Sequence, residues 1–139
     1  MRNRQLAADH VARAALRLKA IDVLYEEQGW ADVVREAQES VELALKGVLR
    51  HLGIEPPRVH DVSAVLLPLK DRLDPACHAD LERAAGVSRD LRRDRELAFC
   101  GAEDLTPSGF YEEGDAHRAR DGARFCVEFA RRLVLERGA

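Results

Sequence analysis

Val33-Val34-Arg35-Glu36-Ala37-Gln38-Glu39-Ser40-Val41-Glu42-Leu43-Ala44-Leu45-Lys46-Gly47-Val48-Leu49-Arg50 carries small apolar residues at steps of three and four. Trp30, Val34, Ala37, Val41, Ala44 and Val48 fall on one stripe of a helix, widened by Leu45, Leu49 and Leu52. Gly53 supplies a stop and Pro56-Pro57 forbids continuation, so an extended connector follows. On the N-terminal side, Ala7, Val11, Ala14, Leu18, Ile21 and Tyr25 form a second stripe, which predicts a helix over about 3–27 that Gly29 ends or interrupts.

Beyond the connector, Asp61 or Ser63 can cap a third, shorter helix burying Val62, Val65, Leu66, Leu69 and Leu73 and ending near Asp74-Pro75. A fourth is expected from about Pro75 to Phe99, with Leu81, Ala84, Ser88, Leu91, Arg95 and Ala98 on its heptad stripe. Residues 101–114 read as a long loop containing Pro107 and Gly109. A last helix begins near Gly114-Asp115, burying Ala116, Ala119, Ala123, Cys126, Phe129, Ala130 and Leu133. Short connectors between such helices imply antiparallel neighbours. The expected fold is therefore all-α, an up-and-down bundle of four to five antiparallel helices in a single domain over 1–139.

Composition agrees and narrows the function. Aromatics are 5% and charged residues 34%, the balance of packed helices rather than sheets. The formal charge of -3 gives no general attraction to phosphate backbones and disfavours a nonspecific nucleic-acid coat protein. Cys77, Cys100 and Cys126 are odd in number and widely spaced, which indicates neither a disulfide framework nor a zinc cage. No apolar run reaches the length of a signal peptide or membrane span. A soluble, cytoplasmic protein with no membrane association is expected.

Arg95 stands out on its stripe, because a buried guanidinium needs a carboxylate, a carbonyl, a ligand or an open cleft. Gln38 and Glu42, four residues apart at the edge of the second helix's stripe, offer two acceptors for such a fork-shaped donor. The competing reading is a structural salt bridge, or an arginine that reaches solvent at its helix end. Arg89, Arg92, Arg93 and Glu96 share another face, usually a solvated one and alternatively a phosphate-binding strip. In His60-Asp61 a metal phosphohydrolase would need further ligands that are not evident; Asp61 as a helix cap is the plainer reading. No metal or cofactor is expected.

Four segments together resemble the HEPN family of small helical bundles. They are the helix Ala37-Gln38-Glu39-Ser40-Val41-Glu42-Leu43-Ala44-Leu45-Lys46, the turn Leu52-Gly53-Ile54-Glu55-Pro56-Pro57, the entry Val59-His60-Asp61-Val62, and Arg93 to Gly101. The resemblance implies a bundle of four or five helices that commonly dimerises, and a small nucleotidyltransferase as toxin–antitoxin or two-component partner. Nuclease members place Arg, four to six residues, then His in a cleft that cleaves RNA without metal. Here Arg93-Asp94 or Arg95-Glu96 matches the arginine half, while Ala98, Phe99, Cys100 and Gly101 stand where His is expected.

The expectation is therefore a non-catalytic homodimer that binds a nucleotidyltransferase partner or a nucleotide-like ligand between the second and fourth helices. Arg95, Arg93, Glu42, Gln38, His60 and Asp61 are its candidate contacts. The alternatives are a metal-independent ribonuclease toxin acting on RNA with His60 or His78 in place of the displaced His, and a pure dimeric scaffold.

Overall fold

The computed structural model describes the backbone of residues 2–100 and 107–136 and the side chains of 3–92 and 109–135. Its elements are α1 (Arg2–Glu26), α2 (Trp30–His51), α3 (Ser63–Leu66), α4 (His78–Cys100), α5 (Pro107–Phe110) and α6 (Glu113–Arg131). No strand occurs among the described residues.

Contacts between elements fix the topology. Ser40 Oγ donates to the Ala14 carbonyl at 3.0 Å, and Arg17 pairs with Glu36 at 3.6 Å. A Cβ on Gly47 would lie 3.1 Å from Val11 Cγ2 and 3.2 Å from the Ala7 carbonyl oxygen. The start of α1 thus meets the end of α2, an antiparallel pair whose backbones approach closely at the glycine. Likewise Arg132 reaches Asp80 at 3.5 Å, Cys126 Sγ lies 3.9 Å from the Ala84 carbonyl, and Gly122 faces Val87, so α4 and α6 are antiparallel. Asp22 pairs with Arg124 at 2.8 Å, and Arg120 lies over the Tyr25 ring at 3.7 Å, which fastens α1 to α6. α2 packs on α1, α4 and α6 and forms the centre of an up-down-up-down bundle.

Most residues of the expected stripes are buried, while Leu18, Tyr25, Trp30, Leu52, Val65, Leu69 and Leu73 are half-buried against the core. Ala7, Val11, Ala14 and Ile21 of α1, Val41, Ala44, Leu45, Val48 and Leu49 of α2, Leu81 and Ala84 of α4, and Ala116, Ala123, Cys126 and Ala130 of α6 are all within the core. Arg95 and Ala98 of the fourth stripe lie outside the residues whose side chains are described.

Three boundaries differ from the sequence reading. The third helix makes one α-turn and then tightens to a 3-10 helix over Leu67–Arg72. Pro68 has no N–H to give to an α-helical ladder, and its ring clashes with the preceding turn. Pro75–Cys77 is a 3-10 turn, with the Ala76 N–H held by Asp74 Oδ1 at 3.0 Å, and α4 starts only at His78. Within the expected 101–114 loop, residues 107–110 form a helical turn. At the other end of α6, Arg132–Glu136 continues as a π-helical turn.

Candidate functional site

The chain enters α3 through a small polar lock. Asp61 Oδ1 accepts from the Ser63 N–H at 2.9 Å, an Asx turn that starts the helix. The same oxygen accepts from Ser88 Oγ at 3.2 Å, and Ser88 Oγ in turn accepts from the Val62 N–H at 3.2 Å. Ser88 and Val62 are both buried, so this bridge anchors the end of the connector on α4. The N-cap of α3 is Val62, which makes no side-chain cap, so Asp61 is not the cap expected from the sequence but holds the Ser63 N–H from one residue earlier.

Its neighbour His60 is held over α2. His60 Nδ1 lies 2.7 Å from Glu42 Oε1, and Lys46 Nζ lies 3.6 Å from the same oxygen. The Glu42 side chain is 15% exposed and that of His60 45%. A protonated Nδ1 donating to the carboxylate leaves Nε2 as the ring's acceptor, and Nε2 has no hydrogen bond among the described residues. Gln38, one turn before Glu42 on the same row of α2, is buried.

Glu42, His60 and Asp61 thus come together between α2 and α4, with Gln38 alongside. Arg93 and Arg95 lie on α4 beyond Ser88, and their side chains fall outside the described residues. Sequence reasoning gave no role to Lys46 or Ser88. Lys46 carried a signal in its spacing of four from Glu42, and Ser88 in being a polar residue on an apolar stripe.

Beside this cluster a cleft of about 290 Å³ opens between α2, α4 and the start of α6, bordered by Val34, Asp90, Leu91, Asp115 and Arg118. Val34 lies one turn before Gln38, and Leu91 one turn before Arg95. Arg118 pairs with Asp115 at 2.7 Å on the cleft wall.

Other titratable groups have structural employment. His78 Nε2 lies 3.2 Å from the Leu73 carbonyl and secures the start of α4. Burial pushes the Cys126 thiol up to about 12, so it stays a neutral core group. No group of three or more His, Cys, Asp or Glu arranged for a metal occurs among the described residues. None of the helices searched over those residues is long and apolar enough to cross a membrane.

A family model described as the HEPN domain matches residues 7–135, nearly the whole chain. The chain belongs to the HEPN domain family. Comparison with curated proteins and with solved structures yields no match. HEPN membership points to a function of the nucleotide-binding or ribonuclease type. The helices that carry the resemblance, α2 and α4, are the two that border both the Glu42–His60 cluster and the cleft.

Proposed function

We propose that this HEPN bundle is a non-catalytic binding module for a nucleotide-like ligand, or for a nucleotidyltransferase that presents one, seated against α2 and α4. The observation that carries this reading is the cleft between those helices, whose Leu91 wall leads one turn on to Arg95. Arginine at such a place supplies a fork for phosphate oxygens. Ala98, Phe99, Cys100 and Gly101, at the positions where nuclease relatives carry His, have no side chain that transfers a proton as imidazole does.

Titration calorimetry with ATP and with a dinucleotide tests the ligand, and affinity capture followed by mass spectrometry tests the protein partner. Arg95→Ala should weaken binding about 10-fold or more, the scale of one lost charge-assisted contact, with the helical circular dichroism unchanged. A variant that unfolds, or that binds as the parent does, counts against the reading.

One observation favours a second reading, a metal-independent ribonuclease. His60 is oriented by Glu42 at 2.7 Å, which is how a general base is commonly poised. Nε2 would take the ribose 2′-hydroxyl proton while an arginine holds the phosphate. His78 fits this role less well, because its ring is engaged with the Leu73 carbonyl. Cleavage of RNA in the presence of a chelator, lost in His60→Ala, would establish this activity; no cleavage by the parent protein would dismiss it.

A further inference from the structure

Where α1 crosses the last turns of α2, the molecule gathers positive charge. Lys46 and Arg50 stand one turn apart on α2, either side of Gly47, and His10 and Arg13 stand one turn apart on α1. Gly47 brings the two pairs together, since a Cβ built there would lie 3.3 Å from His10 Cβ. Burial first, then the charges of Arg50, Arg13 and Lys46, lowers the His10 pKa below its usual 6.5, with Asp9 opposing. All three cations therefore act on one imidazole. The whole chain carries a formal charge of -3, so this positive field is local.

Carboxylates nearby neutralise it poorly. Glu42 lies 3.6 Å from Lys46 but makes its closer contact, at 2.7 Å, with His60. Arg50 meets Glu55 at 3.7 Å, and the Glu55 side chain is 84% exposed, so water screens that pair. Arg13 forms no ion pair among the described residues. Arg50 Nε and His10 Nδ1 are buried with no hydrogen-bond partner among those residues, while the Arg50 side chain, 20% exposed, still reaches the surface. A structural role at the end of α2, where cations complement the helix dipole, accounts for Arg50 and His51. It leaves Arg13 and Lys46 unexplained. Like charges held this close repel one another, and a doubly charged anion among them removes that cost.

We propose that this cluster is a binding site for a phosphate dianion, held beside His10 by Arg13 of α1 and by Lys46 and Arg50 of α2. Each guanidinium offers a fork for two phosphate oxygens, and the Lys46 ammonium adds a point charge. A carboxylate has half the charge and fewer oxygens for three donors from two helices, so phosphate is the better fit. Free phosphate and the monoester group of a phosphorylated metabolite share this chemistry. Arg50 is sixteen residues, about 24 Å of helix, from Val34 at the cleft. The site is thus separate from the one proposed for a nucleotide-like ligand and does not depend on that reading.

Two-dimensional NMR of the full chain, titrated with inorganic phosphate at constant ionic strength with chloride as the balancing salt, reads the result. Amide shifts over 10–13 and 46–51 should saturate with a Kd of about 1 mM, the scale of a few partly exposed charge contacts. Arg13→Gln and Arg50→Gln should each weaken binding about 10-fold. Arg35→Gln, exposed on α2 and remote from the cluster, should leave it unchanged. Arg13 is exposed, so its variant keeps the fold whatever Arg50→Gln does to packing. Ribose 5-phosphate separates the two sources: tighter binding than inorganic phosphate supports an ester ligand, and equal or weaker binding supports free phosphate. Shifts that rise without saturating, or an affinity indifferent to Arg13→Gln, would overturn the proposal.

Discussion

Ser88 does for the connector what no apolar residue at that position would do. Its hydroxyl donates to Asp61 and accepts from the buried Val62 N–H, so one side chain satisfies two groups from the segment that carries His60. Ser88→Ala leaves the Val62 N–H without its acceptor inside the core, at a cost of about 1–3 kcal/mol in denaturant unfolding. The same variant should release His60 from α2, readable as a change in the His60 imidazole shifts by NMR. An unchanged imidazole signal would show that Glu42 alone positions the ring. On the heptad stripe of α4 a serine reads as a flaw, because periodicity reports burial and says nothing of the partner that justifies a buried hydroxyl. His60 and Asp61 were visible as a doublet, and Glu42 through its place at a stripe edge. Their meeting depends on the path of the eleven-residue connector, residues 52–62, which no local pattern encodes.

At the scale of elements, both ends of the α1–α2 pair close in the same way. Gly53, with φ +81, sends its N–H to the Arg50 carbonyl at 3.0 Å, and the Ile54 N–H reaches back to Leu49 at 2.9 Å. At the end of α1, Gln28 and Gly29 make the equivalent bonds to Tyr25 and Leu24, at 3.0 and 2.9 Å. These are Schellman caps, and the residue that takes the left-handed conformation at the end of α1 is Gln28, at φ 62, not the glycine beside it. Sequence reasoning placed the break correctly but credited Gly29. Gln28→Gly removes a left-handed side chain at some cost in unfolded-state entropy, and should stabilise the protein by about 0.5–1 kcal/mol in chemical denaturation. A loss of stability would mean that the Gln28 side chain contributes something beyond its backbone. The long helices were legible because their apolar stripes run for many turns. The third was not, because Pro68 sits inside an otherwise regular pattern and converts most of it to 3-10 geometry.

Across the whole molecule, stability should depend on pH through the seam between α1 and α2. Burial, reinforced by Arg50 and Arg13, lowers the His10 pKa below its usual 6.5, and Asp9 opposes this only in part. Burial and Arg4 lower that of His51. His10 Nδ1 is buried with no hydrogen-bond partner among the described residues. The folded state therefore binds fewer protons than the unfolded chain below pH 6.5, and the neutral rings favour folding most fully above it. Stability should be highest near pH 7–8 and fall on acidification through 6.5 down to the lowered folded pKa values. His10→Gln with His51→Gln should flatten that slope in a thermal melt series; an equally steep slope would assign it to the carboxylates. Chain order gives the α1–α2 seam another significance. The stretch through His51 leaves the ribosome before the rest of the bundle and can close on itself, while the face of α2 that packs on α6 stays bare until α6 is made. A nascent chain halted after α4 displays that bare strip to chaperones and proteases, so the core closes only once α6 has been made.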